Sequence, residues 1–357
     1  MFFLINQHLN YDYHSLTCII IRSILSLLTS FFFNIYIGKF FINCFKKLKI
    51  YQIIRKNGPK THFLKKNTPT MGGLFVIISI LTSIILYSDL SNFYIWSVIS
   101  VLIGYGLIGF IDDYKKIKCN NSKGIPLKWK YFWLSIVSLI FEYSIYIYGQ
   151  NITPHQFIIP FFHKIVLHIN YFNIFLSYFV VVGTSNAVNL TDGLDGLAIF
   201  PLILLACGFA FISLLTGYSD YSDIFNIFYI RNSSELTILC ASIAGSGLGF
   251  LWFNTYPSQI FMGDVGSLSL GGSLGAIAVL LHQEFLLIIM GIVFIIETIS
   301  VILQIISFKI RKKRIFLMAP IHHHYEIKGL PEPIIIIRFW IISFLSVLIG
   351  IASIKVH

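Results

Sequence analysis

The sequence predicts an all-α polytopic integral membrane protein with ten transmembrane helices. Three observations carry this. Mean hydropathy is +0.81 and only 11% of the 357 residues are charged, less than half the usual share in a soluble domain. Apolar runs near the length needed to cross the hydrocarbon recur along the whole chain. Cations concentrate in a few of the polar segments between those runs.

In order, the runs fall at residues 19–43, 72–88, 94–111, 131–149, 171–187, 197–217, 236–254, 265–282, 285–308 and 335–355. The first has no basic leader before it and no small-residue cleavage site after it, so it reads as a retained span rather than a signal peptide. The second follows "TPTMGG", the third runs into "DDYKK", and the fourth starts beyond a lysine-rich loop. The fifth and sixth flank "NAVNLTDGLDGLA". The seventh and eighth flank "TYPSQIFMGD", with glycines four apart (Gly245/Gly249, Gly271/Gly275) that predict close helix approach. The eighth and ninth are joined only around His282–Glu284, predicting a tight helical hairpin. The tenth follows a polar loop containing three consecutive histidines. With no fixed-period repeat and only short loops, residues 1–357 read as a single transmembrane domain.

Loops 46–70, 112–130 and 309–334 hold eight, six and six of the 26 lysines and arginines. With ten spans these loops share a side, which the positive-inside rule makes cytoplasmic, leaving both termini outside. The same alternation puts 187–196 and 255–264 on the cytoplasmic side. The net charge of +11 then reads as basic loops against anionic lipid, not as nucleic-acid binding. Five scattered cysteines without a C-x-x-C argue against a disulfide framework and a thiolate metal site.

Only 15 residues are Asp or Glu, so their placement is informative. Asp112 and Asp113 end the third span, where helix-end polarity alone would favour a basic residue here. Two adjacent carboxylates repel, and a metal or a shared proton gives a reason to keep both. Asn186, Asn189, Asp192 and Asp195 recur every third residue; on a helix the last three would share a face. Helix N-capping explains one of these aspartates, and equally Asp264 at the start of the eighth span, but not the whole group. His322, His323 and His324 are adjacent and so do not share one helix face, which favours an anion-binding or proton-transfer role over joint ligation of one metal. Lys65, Lys66, Thr68 and Thr70 precede the second span, where lipid contact is the plain alternative. Hard carboxylate donors on one face, with cations around them, suit Mg²⁺ and a substrate phosphate. This pattern points to Mg²⁺-assisted phosphoryl transfer at the membrane surface. The rival class is an ion-coupled transporter, whose carboxylates belong near the midplane; here only Glu142 and Glu297 lie well inside spans.

"TPTMGG", "GFIDDYKK", "NAVNLTDGLDGLA", "GFLWFNTYPSQIFMGDVGSL" and "APIHHHYEIKG" together resemble the phospho-N-acetylmuramoyl-pentapeptide transferase family, in order and over essentially the whole chain. "PIHHH" separates this branch from the related GlcNAc-1-phosphate transferases. The resemblance implies transfer of phospho-MurNAc-pentapeptide from UDP-MurNAc-pentapeptide to undecaprenyl phosphate, giving lipid I and UMP in peptidoglycan synthesis. It also implies Mg²⁺, ten helices with both termini periplasmic, a homodimer, and an active site on the cytoplasmic face of the bacterial inner membrane. By the same resemblance, Asp112 is the base for the lipid phosphate with Asp113 beside it, and Asp264 is the metal ligand. Asn189, Asp192 and Asp195 belong to the nucleotide and phosphate pocket. Lys65, Thr70, Lys116, Asn254, Phe261 and Gln304 line the cleft, and His323 and His324 are catalytic, with His322 completing the tract. Asn67 and Ser185 stand where glycine is common in the family, small polar changes beside the site and not at its expected ligands.

Overall fold

The computed structural model describes residues 15–52, 65, 67–121, 123–149, 157–158, 166–167, 172–225 and 227–354. Lys66 and the N-terminal segment before Ser15, on which expectations above bear, lie outside them. Among the described residues the chain is nearly all helix: α1 (Leu16–Lys47), α2 (Gly73–Tyr87), α3 (Phe93–Lys118), α4 (Leu127–Gly149), α5 (Phe172–Thr191), α6 (Ile199–Thr216), α7 (Ser219–Ile224), α8 (Glu235–Asn254), α9 (Gly263–Leu280), α10 (Glu284–Met290), α11 (Ile292–Arg311), α12 (Ile321–Ile327) and α13 (Glu332–Ser353). A two-residue antiparallel pair, β1 (Phe157–Ile158) with β2 (Val166–Leu167), lies between α4 and α5.

The helices are built for lipid. Along α1 the buried positions include Ser23, Ser26, Ser30, Asn34 and Gly38, while Ile24, Phe32, Tyr36 and Phe40 are exposed. Small and weakly polar residues let helices approach, and large apolar ones meet the hydrocarbon. Helices α8 and α9 are the most enclosed, and their glycine pairs do what the sequence predicts. A Cβ on Gly245 or Gly249 would strike the backbone of α1 at Leu27 or Phe31, and one on Gly271 would lie 2.9 Å from the Ser185 Cα of α5. Ser185 itself is absorbed by this contact, its hydroxyl donating to Leu268 O at 3.0 Å.

Among the described residues nine helices are long and apolar enough to cross a membrane, which makes the chain a polytopic membrane protein. Two of the ten expected spans differ in form. The second is the 15-residue α2, because residues 69–73 pair with 261–262 instead of continuing a helix: Phe261 N donates to Pro69 O, Gly72 N to Phe261 O and Gly73 N to Met262 O, each at 2.9 Å. The ninth is broken at Gly291 into α10 and α11, a break placed at a glycine as helix interruptions often are. The hairpin before it turns through Leu281–Gln283, with His282 at φ +54°.

The bundle has two polar ends. At one, Arg22 Nη2 of α1 pairs with Glu235 Oε1 of α8 at 2.6 Å, both side chains fully buried. Glu235 Oε2 also accepts from Asp89 N, and Arg22 Nη1 donates to Tyr87 O. At the other end the C-termini of α3, α5 and α8 meet the N-termini of α4, α9 and α13.

Candidate functional site

The centre of that second end is a carboxylate triad. Ligand oxygens of Asp112, Asp113 and Asp264 lie within 4.8 Å of one another. Asp112 and Asp113 come from the last turns of α3, where the helix dipole opposes them; Asp264, in the first turn of α9, has it in its favour. Two lysines offset the repulsion. Lys116 Nζ lies 2.8 Å from Asp112 Oδ2, 3.1 Å from Asp113 Oδ1 and 2.9 Å from Asp264 Oδ2. Lys130, at the start of α4, reaches Asp264 Oδ2 at 2.5 Å and Asp112 Oδ2 at 3.5 Å. Backbone amides orient the carboxylates: Ile125 N donates to Asp112 Oδ1 at 2.6 Å and Val265 N to Asp113 Oδ2 at 3.3 Å. Gly263, at φ +73°, brings the chain over Asp113 and Thr70, where a Cβ would fall 2.5 Å from Asp113 Oδ2 and 3.2 Å from Thr70 Oγ1.

Three clustered carboxylate oxygens are hard donors of the kind that hold Mg²⁺, and a cation, the Lys116 ammonium, already sits among them. The donor set therefore fits a divalent ion. With two lysines against three carboxylates the cluster is net negative; a divalent ion would reverse that sign and make it attractive to phosphate.

The 186–198 segment joins this centre to two neighbouring clusters. Its helical part ends at Thr191, so the three-residue spacing does not make one face; Asn186, Asn189 and Asp195 turn to different partners. Asn186 bonds its own helix at Val182 O. Asn189 Nδ2 donates to Asp264 Oδ1 at 2.9 Å and to Ser267 Oγ at 2.8 Å. Burial, and then the carboxylates of Asp264, Asp113 and Asp195, push the Asp192 carboxyl up to about 8. Neutral near pH 7, that carboxyl can donate a hydrogen bond as well as accept one. N-capping is not the role of these residues: α6 is capped at Ala198 and α9 at Met262, neither by a side chain.

Asp195 leads into the second cluster. Its Oδ2 accepts from Ser258 N at 3.0 Å and pairs with Lys65 Nζ at 2.9 Å, while its Oδ1 is buried without a hydrogen-bond partner. Lys65 also meets Glu332 Oε1 at 2.5 Å and stands 5.4 Å above the Tyr256 ring. Asn254 spans the site, its Oδ1 accepting from Gly196 N and its Nδ2 donating to Ile260 O. Phe261 takes part through the backbone pairing already described.

The third cluster is α12. His322 is fully buried, its Nδ1 3.1 Å from Glu297 Oε2 of α11, although the angle is not that of a formed hydrogen bond. The ring lies so close to Gly193 that a Cβ there would collide with it. His323 Nδ1 is 3.1 Å from Glu326 Oε2. His324 Nδ1 accepts from Leu317 N at 3.1 Å, consistent with desolvation and nearby Lys328 holding it below the ordinary imidazole value. Gln304 fixes the same loop, accepting from Ile315 N and Phe316 N and donating to Phe316 O. The three histidines thus have three separate partners, against joint metal ligation.

Comparison with known proteins decides the family. The sequence model of glycosyl transferase family 4 matches residues 95–282. Proteins named phospho-N-acetylmuramoyl-pentapeptide-transferase from Buchnera aphidicola subsp. Acyrthosiphon pisum, strains 5A, APS and Tuc7, are each 65% identical over 356 residues, covering all of both chains. The chain belongs to the phospho-N-acetylmuramoyl-pentapeptide-transferase family.

For a member of this family, the structure adds residues that sequence reading left unassigned. Lys130 is one of six cations in its loop, and nothing in the local sequence separates it from the others. Glu332 lies 267 residues along the chain from Lys65. Glu297 did carry a signal, as one of two carboxylates deep in a span, but not the identity of His322 as its neighbour.

Proposed function

We infer that the chain transfers phospho-MurNAc-pentapeptide from UDP-MurNAc-pentapeptide to undecaprenyl phosphate, forming lipid I and releasing UMP. The observation that carries this is full-length 65% identity to transferases of that name, in a chain whose three clustered carboxylates suit phosphate chemistry. Mg²⁺, held by Asp264 within the carboxylate cluster, would supply charge neutralisation at the diphosphate. Asp112 takes the proton from the lipid phosphate, one of whose oxygens attacks the β-phosphorus while UMP leaves. Lys116 and Lys130 stabilise charge on the transferring group, and Asn189 orients Asp264. Asp192, Asp195, Lys65, Thr70, Asn254, Phe261 and Gln304 form the donor pocket, with His322, His323 and His324 closing it.

Residues 1–357 act as one transmembrane domain in the bacterial inner membrane, with termini periplasmic, the site cytoplasmic, and a homodimer as the assembly. The test is incubation of purified protein with UDP-MurNAc-pentapeptide, undecaprenyl phosphate and Mg²⁺. UMP and lipid I are the expected products, and their absence rejects the reading. A phosphorylated aspartate trapped without the lipid acceptor would replace direct attack by a two-step route.

A further inference from the structure

We propose that Glu332 is a positioning residue for the donor side of the site, fixing Lys65 and the backbone of Asp195 in the arrangement that binds the sugar nucleotide. The inference rests on the transferase reading above. It begins with the turn between α5 and α6, whose amides need partners that no helix supplies. Gly193 N and Leu197 N find theirs inside the turn, at Thr191 O and Leu194 O. The amides of Asp195 and Gly196 do not: they are taken by side chains from distant helices, Glu332 Oε1 at 3.2 Å and Asn254 Oδ1 at 2.9 Å. The shape of the turn is therefore set from α13 and α8.

The same Glu332 oxygen holds Lys65 at 2.5 Å. Lys65 lies outside the helices, so the direction of its ammonium depends on Glu332 and Asp195. The Asp195 carboxylate keeps an independent anchor in Ser258 N; removing Glu332 takes away the side-chain acceptor of the Asp195 amide and one of the two carboxylates that hold Lys65, leaving it Asp195 Oδ2 alone. An acidic residue in the first turn of α13 is favourable to the helix dipole anyway. That alone accounts for neither contact, made across 267 and 137 residues of sequence. Because one carboxylate oxygen binds both groups, movement at the start of α13 would displace the lysine and the turn together.

The test uses full-length protein in detergent with Mg²⁺ and both substrates. Glu332→Ala is expected to raise KM for UDP-MurNAc-pentapeptide about tenfold, with kcat and the KM for undecaprenyl phosphate within a factor of about two. Glu332→Gln keeps an acceptor for the Asp195 amide but not the charge facing Lys65, and should fall between. On a Lys65→Met background, Glu332→Ala should cost less than in the wild type, since both changes act on one contact. An unchanged donor KM overturns the proposal. So do parallel losses for both substrates with a lowered melting temperature, the signature of a merely structural role. If Glu332→Ala does not fold, Glu332→Gln decides by the same criteria. Wild-type protein that releases no UMP would defeat the transferase reading itself, whereas active wild type with normal Glu332 variants defeats only this inference.

Discussion

At the scale of single residues, the site works by setting unlike roles on like side chains. Asp112 is held by Ile125 N and two lysines, and Asp264 by Asn189 and the same two lysines. Asp192 is left among carboxylates. Asp112→Asn should lower kcat by about 10²–10⁴-fold, the usual worth of a general base, while nucleotide binding survives; calorimetry with UMP checks the second half, and lost binding would remove the base assignment. Asp264→Asn should lower turnover and raise the Mg²⁺ concentration needed for it, and near-normal Mg²⁺ dependence would take Asp264 out of the metal site. Asp192 gives a pH prediction. The unfolded chain releases its proton near the ordinary value of 3.8, the folded chain near 8. Between those values the folded state holds a proton that the unfolded state lacks. The stabilising contribution is thus complete below about pH 4 and is lost, by up to ~1.4 kcal/mol per unit, as pH rises towards 8. Asp192→Asn removes this group's slope. Melting temperatures of metal-free protein across that window measure it, and equal slopes in wild type and variant would refute it.

At the scale of elements, close packing decides which glycines matter. A Cβ on Gly271 would fall 2.9 Å from Ser185 Cα and from Thr184 O of α5, both backbone atoms that cannot swing away, while a Cβ on Gly183 meets nothing within 4 Å. Gly271→Ala should therefore destabilise by about 1–3 kcal/mol as overpacking, and Gly183→Ala should be neutral or slightly stabilising through helix propensity. Size-exclusion profiles after graded heating compare them, and equal behaviour would show that α5 and α9 can separate freely. The Gly271/Gly275 spacing was readable because close helix contact needs small residues four apart. The spans were readable because hydrocarbon demands long apolar runs. The break at Gly291 was not, since the run 285–308 is apolar on both sides of it and hydropathy carries no record of a bend. Nor was the fan of partners along 186–198: periodicity assumes that the helix continues, and this one stops at Thr191. Motif residues Asp112, Asp113 and Asp264 were legible as a group because each is a rare carboxylate at a span end. Lys130 and Glu332 were not, because only tertiary folding brings them to those carboxylates and to Lys65.

At the scale of the whole molecule, the two polar ends of the bundle differ in what they can do. The end with Arg22 and Glu235 is closed: a fully buried, hydrogen-bonded pair ties α1 to α8 and adds no net charge. The opposite end gathers acidic and basic side chains that are only partly covered, Lys116 and Asp264 among them, and its flanking loops hold most of the cations of a chain with net charge +11. In the proposed orientation the positive loops lie on the cytoplasmic side, where a nucleotide-sugar donor would be found, so charge and chemistry argue for the same side. The chain's own thiols can test this. Cys119 caps α3 at the site end and is exposed, whereas Cys18, half-buried, lies in the first turn of α1 at the Arg22 end. In variants retaining one cysteine each, a membrane-impermeant maleimide should react with Cys119 in inverted vesicles but not in intact spheroplasts, and with Cys18 in the reverse pattern, with detergent-treated samples defining full reactivity. Labelling of Cys119 from outside intact spheroplasts would invert the topology and put the carboxylate triad on the side where no sugar nucleotide is supplied.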